Sequence, residues 1–250
     1  MSRALPALLL AALAACAAPK PKPAAEPSKV AATFREIGSR ELAMGRNEAA
    51  LGDLLHAARL DPKDAEALHL AGVAYLRLGR YAEAEQALKR ALALAPDSGA
   101  ILNTLGGLYS LQHRDAEAQA AFEKALAAPG YATPEVAADN LGKLLARMGR
   151  GAEAEARFRA AIQANPAYLP AYLDLARQLG EAGRREEAYT VLRQALTRFP
   201  ASARIRLTLG KFYYQDRRYR DALRILQEGA SLARDPAVRE EISRYLDILE

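Results

Sequence analysis

The sequence predicts an all-α solenoid: six stacked helix hairpins closed by a single capping helix. Three observations predict it. Hydrophobic residues make up 51% of the 250, carried largely by Ala, with no Trp and only 6% aromatics. Ala-rich sequence poor in β-branched residues favours closely packed helices over a sandwich or barrel. Small residues recur at Gly38, Gly72, Gly106, Gly142, Ala176 and Gly210, spaced 34, 34, 36, 34 and 34 apart. Two further rows keep step with them: Ala50, Ala84, Ala118, Ala154, Ala188 and Ala222, and Leu54, Leu88, Phe122, Phe158, Leu192 and Leu226.

The first element is an address. Met1–Cys16 reads MSRALPALLLAALAAC, with one positive charge at Arg3, an apolar run and then small residues. That is a secretory signal, too short to remain as a membrane-spanning helix. Its end, Leu13-Ala14-Ala15-Cys16, resembles the bacterial lipobox, and the chain's one Cys sits where that motif needs it. The resemblance implies cleavage after residue 15 and acylation of Cys16. Several acyl chains anchor a protein stably where one holds it only marginally. Ala17 follows the Cys in place of the Asp that retains such lipoproteins at the inner membrane. The expected location is therefore the outer membrane, with the folded part facing the periplasm.

Residues 16–30 read as the lipidated Cys and a tether. Ala17–Lys29 holds four Pro and no apolar periodicity. In a polyproline conformation, about 3.1 Å per residue, it would reach roughly 40 Å, and it is expected to hold the folded part off the membrane surface.

The repeats occupy residues 31–236, as units 31–64, 65–98, 99–134, 135–168, 169–202 and 203–236. In each, a small residue in the first helix lets the second approach closely, and the second supplies a matching Ala. Gly45-Arg46, Gly79-Arg80, Gly149-Arg150 and Gly183-Arg184 mark turns between the two helices, because Gly adopts the left-handed conformation that ends a helix. Pro62, Pro96, Pro166 and Pro200 close four of the units, where a second helix must stop. The period and these rows resemble the tetratricopeptide repeat. Stacked units of this kind bury a continuous core that no single hairpin can bury alone. Residues 237–250 carry one apolar stripe (Val238, Ile242, Tyr245, Leu246, Leu249) and read as a capping helix.

Two units depart from the pattern. Glu41 stands where other units have Tyr75, Tyr109 or Tyr213, which predicts weaker packing in the first. The third is two residues longer, ending Pro129-Gly130-Tyr131-Ala132-Thr133-Pro134. This loop is either a tolerated insertion or a binding feature, with Tyr131 and Pro134 as candidates.

No catalytic constellation is visible. One Cys and three dispersed His leave no metal motif, so no metal or cofactor is expected and the chain reads as a binding protein rather than an enzyme. The net charge of +5 comes from bases interleaved with acids, the pattern of solvated helix faces rather than of a nucleic-acid footprint. No small-molecule substrate is implied. Paired acids such as Glu83/Glu85, Glu153/Glu155 and Glu186/Glu187 sit beside Arg and Ala on second helices and read as solvated faces rather than general acid/base pairs.

Placed on the tetratricopeptide pattern, whose first helices line a groove, the partner-binding candidates are His69, Val73, Asn103, Gly107, Asn140, Lys143, Arg177, Lys211 and Tyr214, with Asp139, Leu173 and Leu207 beside them. Asn103 and Asn140 can each donate to and accept from a bound backbone. Gly107 costs helix stability, by up to about 1 kcal/mol relative to Ala, which space for a partner would justify.

The whole mature chain resembles the type IV pilus pilotin family, the PilF/PilW-like and Tgl-like lipoproteins. Leu102-Asn103-Thr104-Leu105-Gly106-Gly107-Leu108-Tyr109 is similar to that family's L-N-N-x-G-G-x-x-Y, with Thr104 departing from it. Tyr131-Ala132-Thr133-Pro134-Glu135, followed by Asn140-Leu141-Gly142, is similar to its Y-x-T-P-E…N-L-G. The resemblance implies a lipoprotein that binds secretin subunits and promotes their delivery to, and multimerisation in, the outer membrane. The alternative is a general periplasmic scaffold that recruits peptidoglycan enzymes or outer-membrane assembly factors.

Overall fold

The computed structural model describes residues 27–249, and the lipobox with Cys16 lies outside them. Among the described residues there are thirteen α-helices and no strand. They run α1 Pro27–Ala43, α2 Asn47–Leu60, α3 Ala65–Arg77, α4 Tyr81–Leu94, α5 Gly99–Leu111, α6 Asp115–Ala127, α7 Pro134–Arg147, α8 Gly151–Ala164, α9 Leu169–Glu181, α10 Arg185–Arg198, α11 Ala203–Gln215, α12 Tyr219–Leu232 and α13 Pro236–Leu249. None is long and apolar enough to cross a membrane. The helix begins earlier than the tether reading allowed: residues 27–29 form the first turn of α1, because Pro at a helix start has its φ already set and lacks only a hydrogen bond that is unmade there.

Consecutive helices pair as antiparallel hairpins, and the small-residue row explains how closely they sit. A Cβ built on Gly72 would lie 2.6 Å from Leu88 Cγ, and one on Gly106 or Gly142 would lie 2.6 Å from the ring of Phe122 or Phe158. The opposing Ala row (Ala50, Ala84, Ala118, Ala154, Ala188, Ala222) is fully buried. In the fifth unit Ala176 replaces Gly, and it too is fully buried.

Every hairpin turn has one geometry. The Arg after the turn donates its backbone N–H back to the carbonyl five residues earlier, as Arg80 does to Tyr75 and Arg150 to Leu145, each at 2.9 Å. That bond requires a left-handed residue just before the Arg. Gly45, Gly79, Gly149 and Gly183 supply it with φ between +73° and +76°. His113 and Arg217 supply it in the third and sixth units, both at φ +58°. First helices start differently: Asp64, Ser98 and Ser202 accept a hydrogen bond from the third residue on, the usual side-chain cap.

Arg46, Arg80, Arg114, Arg150, Arg184 and Arg218 occupy one register and form a ladder that sequence reasoning missed. Five of them pair with the acid three residues on: Glu83, Glu117, Glu153, Glu187 or Asp221. Arg114 and Arg184 also bridge to Glu85 and Glu155 of the preceding unit. Arg80, Arg114 and Arg218 lie over the rings of Tyr75, Tyr109 and Tyr213, with 4.2–4.7 Å to the centroids. In the first unit the ring is absent, and Glu41 instead takes the guanidinium of Arg46. The Tyr-to-Glu change thus exchanges a cation–π contact for an ion pair.

First helices touch one another from unit to unit, whereas second helices touch only first helices. The solenoid therefore curves toward the first helices, which form its inner face.

A polar seam along the inner face

Three registers of the first helices build the inner face. Relative to the small residue, the position three before it carries Arg35, His69, Asn103, Asp139, Leu173 and Leu207, and the next carries Glu36, Leu70, Thr104, Asn140, Asp174 and Thr208. The position just after it carries Ser39, Val73, Gly107, Lys143, Arg177 and Lys211. The first register of one unit faces the second register of the next, and hydrogen bonds join the two registers at the seams between units two and three and between units three and four.

His69 Nε2 lies 2.8 Å from Thr104 Oγ1. Burial lowers the His69 pKa and keeps the ring neutral. At the next seam, Asn140 Nδ2 donates to Asn103 Oδ1 at 3.1 Å. The sequence-predicted pair is thus brought together, each amide spending one group on the other and keeping further groups for a partner. Beside it, a Cβ on Gly107 would meet nothing within 4 Å. Gly107 leaves a notch between Val73 and Lys143 in the third register.

The following seam is ionic. Lys143 Nζ donates to Asp139 Oδ2 at 2.6 Å and reaches Asp174 Oδ2 at 3.2 Å. Arg177 pairs with the other oxygen of Asp174. Asp139 was expected to face the groove, yet it is 0% exposed, and its Oδ1 has no hydrogen-bond partner. The helix turns that position under Tyr168, whose hydroxyl lies 3.4 Å from Asp139 Oδ2. Burial raises the Asp139 pKa, outweighing the attraction of Lys143. Burial, followed by the Asp139 charge, pushes the Tyr168 phenol up to about 12.

Beyond Arg177 the face becomes amphipathic. A cavity of about 530 Å³ opens between α9, α11 and α13, with Leu173, Leu207 and Val238 on its walls and Arg177, Lys211 and Glu241 around them. Leu207, expected to be open to a partner, is buried as part of this floor. Lys211 pairs with Glu241 at 2.6 Å, and the Tyr214 ring packs edge-on against Tyr245 at 5.5 Å. The capping helix therefore engages both of these candidates. Tyr131 also turns inward: a Cβ on Gly99 would lie 2.5 Å from its ring, and it packs with Leu102, Leu126 and Ala137. Pro134 is the first residue of α7. In this fold, the long third-unit ending is packed by its own aromatic side chain. Among the described residues, no group of three His, Cys, Asp or Glu is placed to hold a metal ion.

One tetratricopeptide-repeat family model matches residues 75–138 and 179–240, and two others match residues 35–99 and 136–165. The chain belongs to the tetratricopeptide-repeat family. Among solved structures, this tetratricopeptide protein is similar to PilW, a widely conserved type IV pilus biogenesis factor, with 26% identity and a TM-score of 0.74 over 87% of this chain and 99% of that one. It shares its fold with Pseudomonas aeruginosa PilF (20% identity, TM-score 0.71, 87% and 98% covered). It shares it also with YrrB, a repeat protein with an unusual peptide-binding site (19% identity, TM-score 0.53, 76% and 97% covered). Sequence comparison with curated proteins finds no match. The protein is a tetratricopeptide scaffold, and one of its structural neighbours, PilW, is a type IV pilus biogenesis factor.

Proposed function

We propose that this chain is a pilotin: a lipid-anchored periplasmic protein that binds secretin subunits of the type IV pilus and promotes their outer-membrane targeting and multimerisation. The observation that carries this reading is the likeness to PilW over nearly the full length of both chains. The lipobox ending in Cys16, and the family-like stretches at 102–109 and 131–142, support it from the sequence. The inner face offers what such a role needs: amide groups at Asn103 and Asn140 beside the Gly107 notch, then a cavity with apolar walls and a rim of both charges.

In this reading an extended client segment runs along the inner face from unit three to unit six. Its backbone meets the two amides, and its apolar side chains enter the cavity beyond Arg177. The work is binding alone, with no bond made or broken.

The test is a pull-down. The lipidated protein is used to capture partners from detergent-solubilised envelope, and the retained proteins are identified by mass spectrometry. Secretin subunits are the expected catch. Recovery of peptidoglycan enzymes or outer-membrane assembly factors with no secretin would replace this reading with that of a general periplasmic scaffold.

A further inference from the structure

We propose that the edge of the solenoid where one unit passes to the next lies against an anionic lipid leaflet. The antiparallel hairpins put the starts of first helices and the ends of second helices on one edge. Phe34, early in α1, packs on His56, late in α2, with ring centroids 4.3 Å apart, and Arg35 reaches Asp64 of the following linker at 3.1 Å. The chain preceding Pro27 joins the fold at this edge.

The same edge carries the uncommitted positive charge. Lys63, Arg90, Lys124, Arg193, Arg198 and Arg234 are exposed, lie in the second half of second helices or in the linkers behind them, and take part in no ion pair with a described residue. The exposed acids there that are likewise unbridged are Asp97 and Glu123. The opposite edge differs, because its arginine ladder is consumed by Glu and Asp. Exposed and unbridged there are the bases Arg77, which donates to the Leu42 carbonyl, Arg217 and Arg220, together with the acids Glu48, Glu181 and Glu186. A cleft of about 590 Å³ opens on the basic edge, lined by Arg234, by Arg204 paired with Asp235, and by Arg239 donating to the Ala233 carbonyl. It is wide enough to seat a phosphate headgroup.

An anionic leaflet strengthens the binding of a basic surface by roughly fivefold per Lys or Arg held within a Debye length. A lipidated Cys16 would supply the nearness, since the ten residues 17–26 span about 30 Å when extended. Only that placement rests on the anchored reading. The arrangement leaves the inner face of the first helices open to a client while the edge sits on the membrane.

The full chain carrying Cys16→Ala, which removes the lipid, is mixed with phosphatidylglycerol or phosphatidylcholine vesicles and sedimented. Binding to phosphatidylglycerol that salt abolishes, well above any binding to phosphatidylcholine, is expected. Adding Arg90→Gln, Lys124→Gln, Arg193→Gln and Arg234→Gln should weaken that binding at least about tenfold, with circular dichroism unchanged. Arg217→Gln with Arg220→Gln, on the opposite edge, should leave most of it. Equal binding to both vesicle types, or equal loss from the two sets of variants, would overturn the proposal. Failure to capture secretin while vesicle binding persists would remove the pilotin reading and leave this one standing.

Discussion

Asn103 and Asn140 meet across the seam between the third and fourth units, so removing them acts on the groove and only lightly on the fold. Their mutual bond is neutral and partly exposed, and Ala is the better helix former at both positions. Asn103→Ala with Asn140→Ala should weaken secretin binding by about 0.5–1.5 kcal/mol per lost hydrogen bond to the client, a tenfold to hundredfold loss overall. Thermal unfolding should hardly move, and titration of a secretin fragment checks the affinity. Unchanged affinity would place the client elsewhere. Asp139 makes the opposite kind of prediction, one about stability. Its carboxyl titrates above the ordinary value of 3.8, with burial as the first cause and Lys143 pulling the other way. Between those two values the folded state holds a proton that the unfolded state has released. The Asp139 contribution therefore improves as pH falls through that window, and its cost is fully present above it. Asp139→Asn should gain on the wild type in urea midpoint as pH rises from about 4 to 7. A gap independent of pH would mean that Asp139 is charged throughout. The sequence placed Asp139 in the right helix and on the wrong side of it. A register assigns a face to within one residue, and at the edge of a helix stripe one residue separates exposed from buried.

At the scale of the element, close helix pairing and turn geometry both yield numbers. Leu at Gly142 would drive its side chain into the Phe158 ring, already 2.6 Å from where a Cβ would stand. Gly142→Leu should cost about 1–3 kcal/mol, read as a lower urea midpoint with helix content kept. His113 and Arg217 hold left-handed backbone without being Gly. An L side chain there costs about 1–2 kcal/mol, while Gly adds about 0.5–1 kcal/mol of unfolded-state freedom. His113→Gly should thus stabilise by a few tenths to about 1 kcal/mol, and a destabilised variant would show that the His side chain does more than occupy the turn. Much of this layer was legible. The small-residue row named the close approaches, and Gly-Arg named four turns, because steric fit and left-handed backbone each admit few residue types. The other two turns were hidden, since His113 and Arg217 leave no such mark. The Tyr131 plug was half visible: Gly99 is an unusual helix start, but only the fold brings the longer loop back over it.

For the whole molecule, address and fold should be separable. Cys16→Ala should move the protein from the outer-membrane fraction to the soluble periplasm when the envelope is washed in high salt, and leave secretin binding in vitro intact. Palmitate labelling that survives the substitution would remove the lipobox reading. The repeats were legible across the entire folded part because period is a property of the whole chain. The bonds between units were not, because His69 with Thr104, or Asn103 with Asn140, are pairs of unlike or unremarkable residues some thirty-five positions apart. They become partners only after the stacking is known. That stacking has a mechanical meaning. Among the described residues no helix touches another more than two places along the chain, so no distant contact between them resists bending, and each seam deforms by itself. The molecule is a spring whose coils differ in stiffness. Stretching should open its seams one at a time, each independently of its neighbours.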